Sequence, residues 1–516
     1  MKFIKLFSGI LAILVIFSAC ENKEKVENTT SIKIVLSDEI ITVDGKNIES
    51  VGDVYLKNDI IYYESGKDFT YGEGSEKDAH TKEEADEHKV IHINKAGTYE
   101  ISGKLSKGQI AVDLGEDAEN DVNAKVTLIL NNIDITCQVA PAIIFYNVYE
   151  CGDKDNPTKD VDTSNSGAKV IIAENSVNTV DGSYVEKIYK PETVVLNEDK
   201  TEVEDAKKLH KYDGAFYSKM SMELSGEGTL NIYAKNEGLD SEMHLTIKNG
   251  NINIVSGNDG INTNEDGVSV TTISGGNLNI TVNGKTGEGD GIDSNGWLVI
   301  NGGTVISKAC STSGDSGIDS DMGIHITGGT VIATGSMLDR IEECAQNYAV
   351  FNFTQTQRGK TGFEIKDSQG NAVMDEFFEN DFTILVFSSP ELRAGTYTLW
   401  GIDTQLSVYS GGMMGGFKPD GERPEIPENF EPNGERPEIP EGMMPGGERP
   451  EIPEGMMPGG ERPEKPEGMM PDSERPEEFK PETGIEPPNP EGNFTGEATK
   501  EFKITDGANN FNVIIE

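Results

Sequence analysis

The chain has 516 residues, of which 58 are glycine and only 2 are tryptophan, and this favours a turn-rich β protein over a compact α/β enzyme. The formal net charge of −46 argues against nucleic acid as a partner, because the phosphates would be repelled. It points instead to cations, or to ligands that are approached through cations.

The N-terminus reads as a bacterial lipoprotein signal peptide over residues 1–20. Lys2 and Lys5 precede an apolar run that ends in Phe-Ser-Ala-Cys, which makes Cys20 the expected lipidation site. A plain signal peptide with an incidental cysteine is the alternative. Residues 21–31 then form a polar tether, and we expect a lipoprotein that is anchored to a membrane outside the cytoplasm, at the cell surface.

Strand patterns follow from residue 32. Alternating apolar residues, closed by glycine and asparagine corners, occupy 32–63 and most of 88–182, with a charged loop at 64–87 between them. Four further cysteines could form two disulfides in an exported protein or could be buried and free. The pairs would be Cys137 with Cys151 and Cys310 with Cys344.

A repeat then runs from residue 212 to residue 332. The second residue of a recurring Gly-Gly or Gly-Asn turn falls at steps of 23, 25, 27 and 26 residues, at Gly228, Asn251, Gly276, Gly303 and Gly329. Such a period indicates stacked units, none of which can bury its apolar face alone. Each unit has room for short strands but not for helices, which predicts a parallel β-helix.

Acidic and amide residues recur at fixed places in these repeats. Alignment of the repeats stacks them in columns beside an apolar row, with Phe216 placed opposite Asp240 in the most degraded copy. Stacked carboxylates would repel each other, and calcium prefers the carboxylate and amide oxygens that such columns supply. Turn residues that cap bends without a metal are the alternative. The candidate calcium ligands are Asp240, Asp259, Asn262, Asn264, Asp290, Asp293, Asn295, Asp319 and Asp321.

Several motifs occur in the order found in a known family. The run INKAGTYEISGKLSKGQIAVD, then KVTLILNNIDIT, AKVIIAENSVNTVDG and the DGI-containing repeats, resembles the clostridial carbohydrate-binding β-helix family, which is pectate-lyase-like in shape. The resemblance covers residues 32–340. It implies a right-handed parallel β-helix with bound calcium that binds cellulose-like and polygalacturonate-like glycans without demonstrated cleavage. Charged loops at 64–87, 150–166 and 184–212 depart from the family.

The resulting functional hypothesis is calcium-dependent, non-catalytic binding of an acidic or cellulosic polysaccharide by a monomer. Calcium would bridge protein carboxylates to uronate carboxylates. Tyr217 and Trp297 could stack on a sugar face, although Trp297 could equally be a core residue. Lys308 is a third candidate for ligand binding. A polysaccharide lyase or glycoside hydrolase is the alternative, with Lys308 or Lys285 as a candidate base, and a surface adhesin or spacer is another.

The C-terminal part combines strands with a proline-rich insertion. Residues 341–410 and 496–516 both show strand alternation, and we expect them to form one small antiparallel module that caps the solenoid. Between them, 411–495 carries 13-residue repeats of the type GERPEIPEGMMPG, whose prolines predict an extended, disordered insertion. The predicted fold class is therefore all-β, a right-handed parallel β-helix with an interrupted C-terminal β module.

Overall fold

A computed structural model describes residues 31–410 and 498–514. Their secondary structure is almost entirely β, with the short helix α1 (Lys82–Asp86) and 3-10 turns at Glu116–Asn120, Thr163–Asn165 and Pro191–Thr193. No helix in these two ranges is both long and apolar enough to span a membrane. The strands of the first half are β1 (Ile32–Leu36), β2 (Thr42–Val43), β3 (Lys46–Asn47), β4 (Val54–Lys57), β5 (Lys89–Ile93), β6 (Gly97–Leu105), β7 (Gly108–Val112), β8 (Val126–Thr136), β9 (Ile143–Phe145), β10 (Ala168–Ile172), β11 (Val177–Gly182), β12 (Val185–Tyr189), β13 (Val195–Leu196), β14 (Val203–Asp205), β15 (Lys208–Tyr212), β16 (Gly214–Ser218), β17 (Met222–Gly226) and β18 (Thr229–Ala234).

The second half continues with the repeats and ends in longer strands. They are β19 (Glu237–Ser241), β20 (Leu245–Ile247), β21 (Asn251–Ser256), β22 (Ile261–Thr263), β23 (Val270–Ile273), β24 (Asn277–Val282), β25 (Ile292–Ser294), β26 (Trp297–Lys308), β27 (Gly323–Gly335), β28 (Ile341–Cys344), β29 (Tyr348–Gln357), β30 (Thr361–Asp367), β31 (Ala372–Phe378), β32 (Phe382–Ser388), β33 (Gly395–Gly401), β34 (Thr404–Gln405), β35 (Ser407–Ser410), β36 (Phe502–Ile504) and β37 (Ala508–Ile514).

Ten parallel strands close into a barrel. Strand β8 pairs with both β10 and β11, and β26 pairs with both β23 and β24. The path β10–β17–β20–β23 runs along one side, and β11–β18–β21–β24 runs along the other. The pairings therefore form a closed ring of 10 strands, to which further strands are added.

The predicted right-handed parallel β-helix is therefore wrong, because the strands close into a barrel. Strand β8 has 11 residues and β26 has 12, and each continues through a sharp corner, at Asn132 with φ of 61° and at Gly303 with φ of 74°. Each strand thereby contributes its first half to one side of the ring and its second half to the other. The spacing of the repeats indicates how the units stack, but it does not indicate whether the long strands β8 and β26 close the ring.

A second parallel sheet packs against the same core. It has the order β25-β22-β19-β16-β9-β7-β5-β4, in which only the edge strand β4 is antiparallel to its neighbour. Phe216, Leu239, Ile261 and Ile292 are paired in register along this sheet and belong to the large apolar cluster that fills the molecule. The face opposite this row points outward, and it carries the polar residues discussed below.

The C-terminal strands form a unit with its own apolar core. Strand β32 pairs antiparallel with β27 and β29, and β37 pairs with β29 and β35. A separate cluster rich in phenylalanine, including Phe351, Phe363, Phe378 and Phe382, lies between this sheet and the strands β30, β31, β33 and β36. Residues 498–514 thus return to the same unit as 348–410. The predicted signal peptide, the predicted lipidation site Cys20, the tether up to residue 30 and the proline-rich repeats lie outside the described residues.

All four cysteines of the described ranges are free, and Cys137 and Cys310 are buried. The structure therefore favours the second of the two readings of these residues, in which they do not form disulfides.

Candidate functional site

The site lies on the outward face of the second sheet. There Tyr217, Asp240, Asn262 and Asp293 are cross-strand neighbours on β16, β19, β22 and β25, and they form one continuous line, which we call the outward row. Because parallel strands stack at about 4.8 Å, side chains in such a row are close enough to share a ligand. The sheet thus brings together residues that are 22 to 31 positions apart in the chain.

The row corrects one detail of the predicted columns. The sequence alignment placed Phe216 opposite Asp240, whereas the structure pairs Phe216 with Leu239 and Tyr217 with Asp240. A shift of one residue would turn Phe216, which is 0% exposed, out of the core. Burial of the phenylalanine therefore sets the register, and it places a tyrosine at the end of the acidic row.

Three carboxylates converge at the start of this row. Each of Asp213, Glu237 and Asp240 offers an oxygen that lies within 4.8 Å of the other two, and we call this group the acid cluster. All three side chains are buried, with Asp240 at 0% exposure. Oδ2 of Asp240 and Oε2 of Glu237 have no hydrogen-bond partner among the described residues. Buried carboxylate oxygens without a partner carry a large desolvation cost unless a proton or a cation offsets it.

Charge and burial explain the electrostatics of the cluster. Burial, reinforced by the neighbouring carboxylates, raises the pKa of Glu237 and of Asp240 well above the ordinary range. Burial also raises the pKa of Asp213, although Lys211 opposes this through an ion pair of 2.7 Å between Nζ and Oδ2. Among the described residues, Lys211 is the lysine that forms an ion pair with the cluster, and Lys208 acts on Asp213 and Asp240 from farther away. Three carboxylates thus share one direct ion-pair partner.

Amide side chains complete the donor set. Asn262 donates from Nδ2 to Glu237 Oε1 at 3.2 Å, and Asn264 donates from Nδ2 to Asp240 Oδ1 at 2.7 Å. The carbonyl oxygen Oδ1 of Asn262 is buried and has no partner within the described ranges. Unpartnered carboxylate and amide oxygens are the hard donors that calcium prefers, so the residues present fit this ion.

The remaining predicted ligands lie further along the same face and become more exposed. Asp259 Oδ1 accepts from the Asp290 backbone N–H at 2.7 Å, and Asp290 Oδ1 accepts from the Ser316 N–H at 2.5 Å. Asn295 donates to the Asn264 backbone carbonyl at 3.0 Å. These three side chains form hydrogen bonds between successive repeats, as expected if they are turn residues that cap bends without a metal.

At the C-terminal end of the face, acids again lie close together. Burial and the nearby Asp339, Asp293 and Asp321 raise the pKa of Asp319 to about 8. Burial and Asp321 raise the pKa of Asp293 to about 6. These side chains are less buried than the acid cluster, and Asp321 is exposed.

A cleft of about 650 Å³ opens beside the acid cluster. One wall is formed by residues of β5, β7 and β16 and by the segment that follows β9, and the other is strand β15, which pairs with β12 in the charged insertion. Its lining includes Tyr146, Tyr212, Tyr217, Lys208, Lys219 and Glu242. The insertion at 184–212, which departs from the family that the sequence resembles, thus forms one side of the cleft.

Polar contacts organise the cleft wall. The Tyr217 hydroxyl donates to Glu242 Oε1 at 2.7 Å, and Lys208 Nζ lies 3.2 Å from the same oxygen. The Tyr212 ring contacts those of Tyr146 and Tyr217 edge to face, with centroids 5.5 and 5.1 Å apart. Sequence reasoning found Tyr217 but missed Lys208 and Tyr212. Their only sequence signal was the length and charge of the 184–212 insertion.

The other predicted ligand-binding residues lie elsewhere. Trp297 begins β26, is half-buried, and does not line the cleft. Lys308 is only 2% exposed and lies under the C-terminal unit, where its Nζ contacts Glu379 Oε2 at 3.2 Å and Asn279 Oδ1 at 2.8 Å. Lys308 therefore forms part of the contact between the barrel and the C-terminal unit, and a polysaccharide would not reach it.

Comparison with known proteins gives three findings. A family model described as carbohydrate-binding domain-containing protein matches residues 87–152 and 152–358. Comparison with curated proteins gives no match. Among solved structures, the polysaccharide lyase-like protein from C. thermocellum, in a gadolinium derivative, aligns with 61% of this chain and 95% of its own, at 19% identity and a TM-score of 0.34. A TM-score this low does not establish a common fold.

Proposed function

The chain belongs to the family of carbohydrate-binding domain-containing proteins, and from this premise we propose that it binds an acidic, polygalacturonate-like polysaccharide in a calcium-dependent manner. The observation that carries the proposal is the acid cluster, which includes buried oxygens without a hydrogen-bond partner among the described residues and whose ion-pair partner Lys211 lines the cleft. Tyr217 connects the two, because it is paired with Asp240 in the sheet and lines the cleft.

The proposed calcium ligands are Asp213, Glu237 and Asp240, with Asn262 as a further oxygen donor. When bound, the ion would supply the positive charge that Lys211 alone does not provide. Because these carboxylates are buried, the ion would stand behind the wall and would not touch the sugar. It would hold β16 and β19 in register and remove the local repulsion that a polyanion meets at this surface.

The cleft supplies the groups that would contact the glycan. Lys208 and Lys219 offer ammonium groups to uronate carboxylates, and both side chains reach solvent at the cleft. Tyr146 and Tyr212 offer aromatic edges and hydroxyls, a combination suited to the mixed apolar and polar surface of a sugar. A cellulosic chain is the neutral alternative, and it would use the tyrosines without the lysines.

We also propose that this binding takes place outside the cytoplasm, with the protein anchored to a membrane through a lipid on Cys20. The support is the signal-peptide pattern of residues 1–20. The measurement is mass spectrometry of the mature N-terminus, which should begin at a diacylated or triacylated cysteine.

Titration calorimetry with polygalacturonate and with cello-oligosaccharides tests the binding proposal. We expect polygalacturonate to bind in calcium and to lose most of its affinity in chelator. Replacing both lysines, Lys208→Ala and Lys219→Ala, should weaken binding by about 2 kcal/mol, because two charge-assisted contacts are lost. Lys46→Ala, at an exposed site on β3, is the matched control and should bind like the wild type.

If the protein keeps its full affinity for polygalacturonate in the presence of chelator, binding does not depend on calcium. If the double lysine variant binds polygalacturonate as tightly as the wild type, the glycan does not bind in the cleft. Preference for the neutral oligosaccharide would make the cellulosic alternative the correct one. Absorbance of unsaturated uronate, followed in the same samples, would reveal a lyase if it rises.

A further inference from the structure

The lysines that line the cleft differ in how their charge is balanced. Three of them form ion pairs: Lys154 Nζ with Glu265 Oε2 at 2.9 Å, Lys208 Nζ with Glu242 Oε1 at 3.2 Å, and Lys211 Nζ with Asp213 Oδ2 at 2.7 Å. Lys219 forms no ion pair within the part of the chain that the structure describes. Its Nζ instead donates to a neutral acceptor, Asn147 Oδ1, at 3.1 Å. The positive charge of Lys219 is therefore not balanced by a carboxylate in direct contact.

The ends of three neighbouring parallel strands place this lysine. Strands β7, β9 and β16 pair in the second sheet and end side by side. Asp113 directly follows β7, Lys219 directly follows β16, and Asn147 lies shortly after the end of β9. The backbone N–H of Lys219 donates to the Phe145 carbonyl at 2.9 Å, which fixes the start of the side chain. The three side chains thus meet at the same edge of the sheet.

Asn147 is held in the orientation that presents its oxygen to the lysine. Its Nδ2 donates to Asp113 Oδ1 at 2.9 Å, and the same oxygen accepts from the Gly115 backbone N–H at 3.0 Å. An ionised carboxylate can only accept hydrogen bonds, so the amide nitrogen faces Asp113 and the amide oxygen faces Lys219. Asn147 thereby positions the ammonium group without neutralising it. The Lys219 side chain is exposed, so a ligand in the cleft can reach it.

We propose that Lys219 distinguishes a free uronate carboxylate from its ester, and that Asn147 is the residue that positions Lys219 for this task. The inference rests on the proposed binding of an acidic polysaccharide in the cleft. A carboxylate that approaches Lys208 would compete with Glu242, whereas at Lys219 it would replace only a neutral amide oxygen. Because the chain carries a net charge of −46, loss of the ligand's charge would otherwise favour binding.

Calorimetry with two ligands that differ only in this group tests the proposal. Trigalacturonate and its methyl ester are titrated in calcium into the full chain. The wild type should bind the free acid about tenfold more tightly than the ester, which corresponds to one charge-assisted hydrogen bond. Lys219→Gln should remove this preference, and Lys208→Gln should keep most of it, because the Lys208 charge is already paired with Glu242.

Asn147→Asp tests the positioning role while Lys219 remains in place. This change preserves the size of the side chain but puts a carboxylate where the ammonium group now meets an amide. Affinity for trigalacturonate should fall about tenfold, and affinity for the methyl ester should change little. Asn277→Asp, at an exposed site on β24 outside the cleft, adds the same charge elsewhere and should bind both ligands like the wild type.

The outcomes separate this inference from the proposed function. If Lys219→Gln and Asn147→Asp keep the wild-type preference for the free acid, Lys219 does not read the carboxylate, although the glycan still binds. A larger loss of preference in Lys208→Gln than in Lys219→Gln would also overturn the inference. If the wild type binds neither ligand, the proposed function falls together with it. Circular dichroism of each variant, compared with the wild type, identifies any loss of binding that is caused by misfolding.

Discussion

When calcium is removed by a chelator, the free energy of unfolding of the protein is expected to fall as the pH rises from about 4 to about 8. The pKa of Asp319 is raised from 3.8 to about 8, and that of Asp293 from 3.8 to about 6. Burial raises the pKa values of Glu237 and Asp240 in the same direction. The folded chain therefore keeps protons that the unfolded chain has already released, and a higher pH favours the unfolded chain.

The effect is large because several groups act together. One unit of pKa difference corresponds to about 1.4 kcal/mol, so the window from about 4 to about 8 costs several kcal/mol in total. Calcium should remove much of this cost by replacing protons with a cation. At a concentration about 100-fold above its dissociation constant it would add about 2.7 kcal/mol. The stabilisation should be larger at pH 7.5 than at pH 5, where protons already neutralise the acids.

Asp240→Asn separates this explanation from a general effect of charge. Its amide can still accept from Asn264, while one buried negative charge disappears. In chelator at pH 7.5 we expect this variant to be more stable than the wild type, and to gain little from calcium. Asp205→Asn, at an exposed site on β14, should match the wild type in both respects.

Thermal unfolding with and without calcium at the two pH values gives the answer. A metal-free protein whose stability rises between pH 5 and pH 7.5 would contradict the role of the buried carboxylates. An unchanged calcium response in Asp240→Asn would place the ion somewhere other than the acid cluster.

The stability of the protein should also depend strongly on one corner of the barrel, where a single added methyl group would not fit. Gly226 ends β17 with φ of 108°, and a β-carbon there would overlap the backbone carbonyl oxygen of Ile172 on the neighbouring strand. Gly226→Ala should therefore destabilise the protein by about 2–5 kcal/mol, combining backbone strain with overpacking. Chemical denaturation measures the change.

Gly267→Ala is the matched control for this corner. Gly267 also has a positive φ, of 66°, but a β-carbon there would meet nothing within 4 Å. Only backbone strain remains, so the expected loss is about 1–2 kcal/mol. Equal losses in the two variants would mean that the close approach of β17 to β10 does not limit this corner.

Much of the architecture can be predicted from the repeats, because stacked units place apolar and polar residues at regular intervals in the sequence. The row Leu239, Ile261 and Ile292 has the spacing at which the parallel strands pair, and the polar neighbours Asp240, Asn262 and Asp293 follow in register. The predicted alignment of the first, most degraded repeat is wrong by one residue, because both Ala215 and Phe216 are apolar and either could point into the core. Only packing against Ile143 and Leu239 selects Phe216.

The repeats alone predict the all-β class, the stacked units and the line of acidic side chains, because periodic burial on a parallel sheet imposes a local pattern. Only the fold in three dimensions establishes that β8 and β26 close a ring of strands, and that Asp213 lies beside Glu237 and Asp240. It also decided that strand β15 of the insertion faces the sheet across a cleft. Each of these depends on how far a strand bends or where a loop folds back, and such long-range contacts leave no period in the chain.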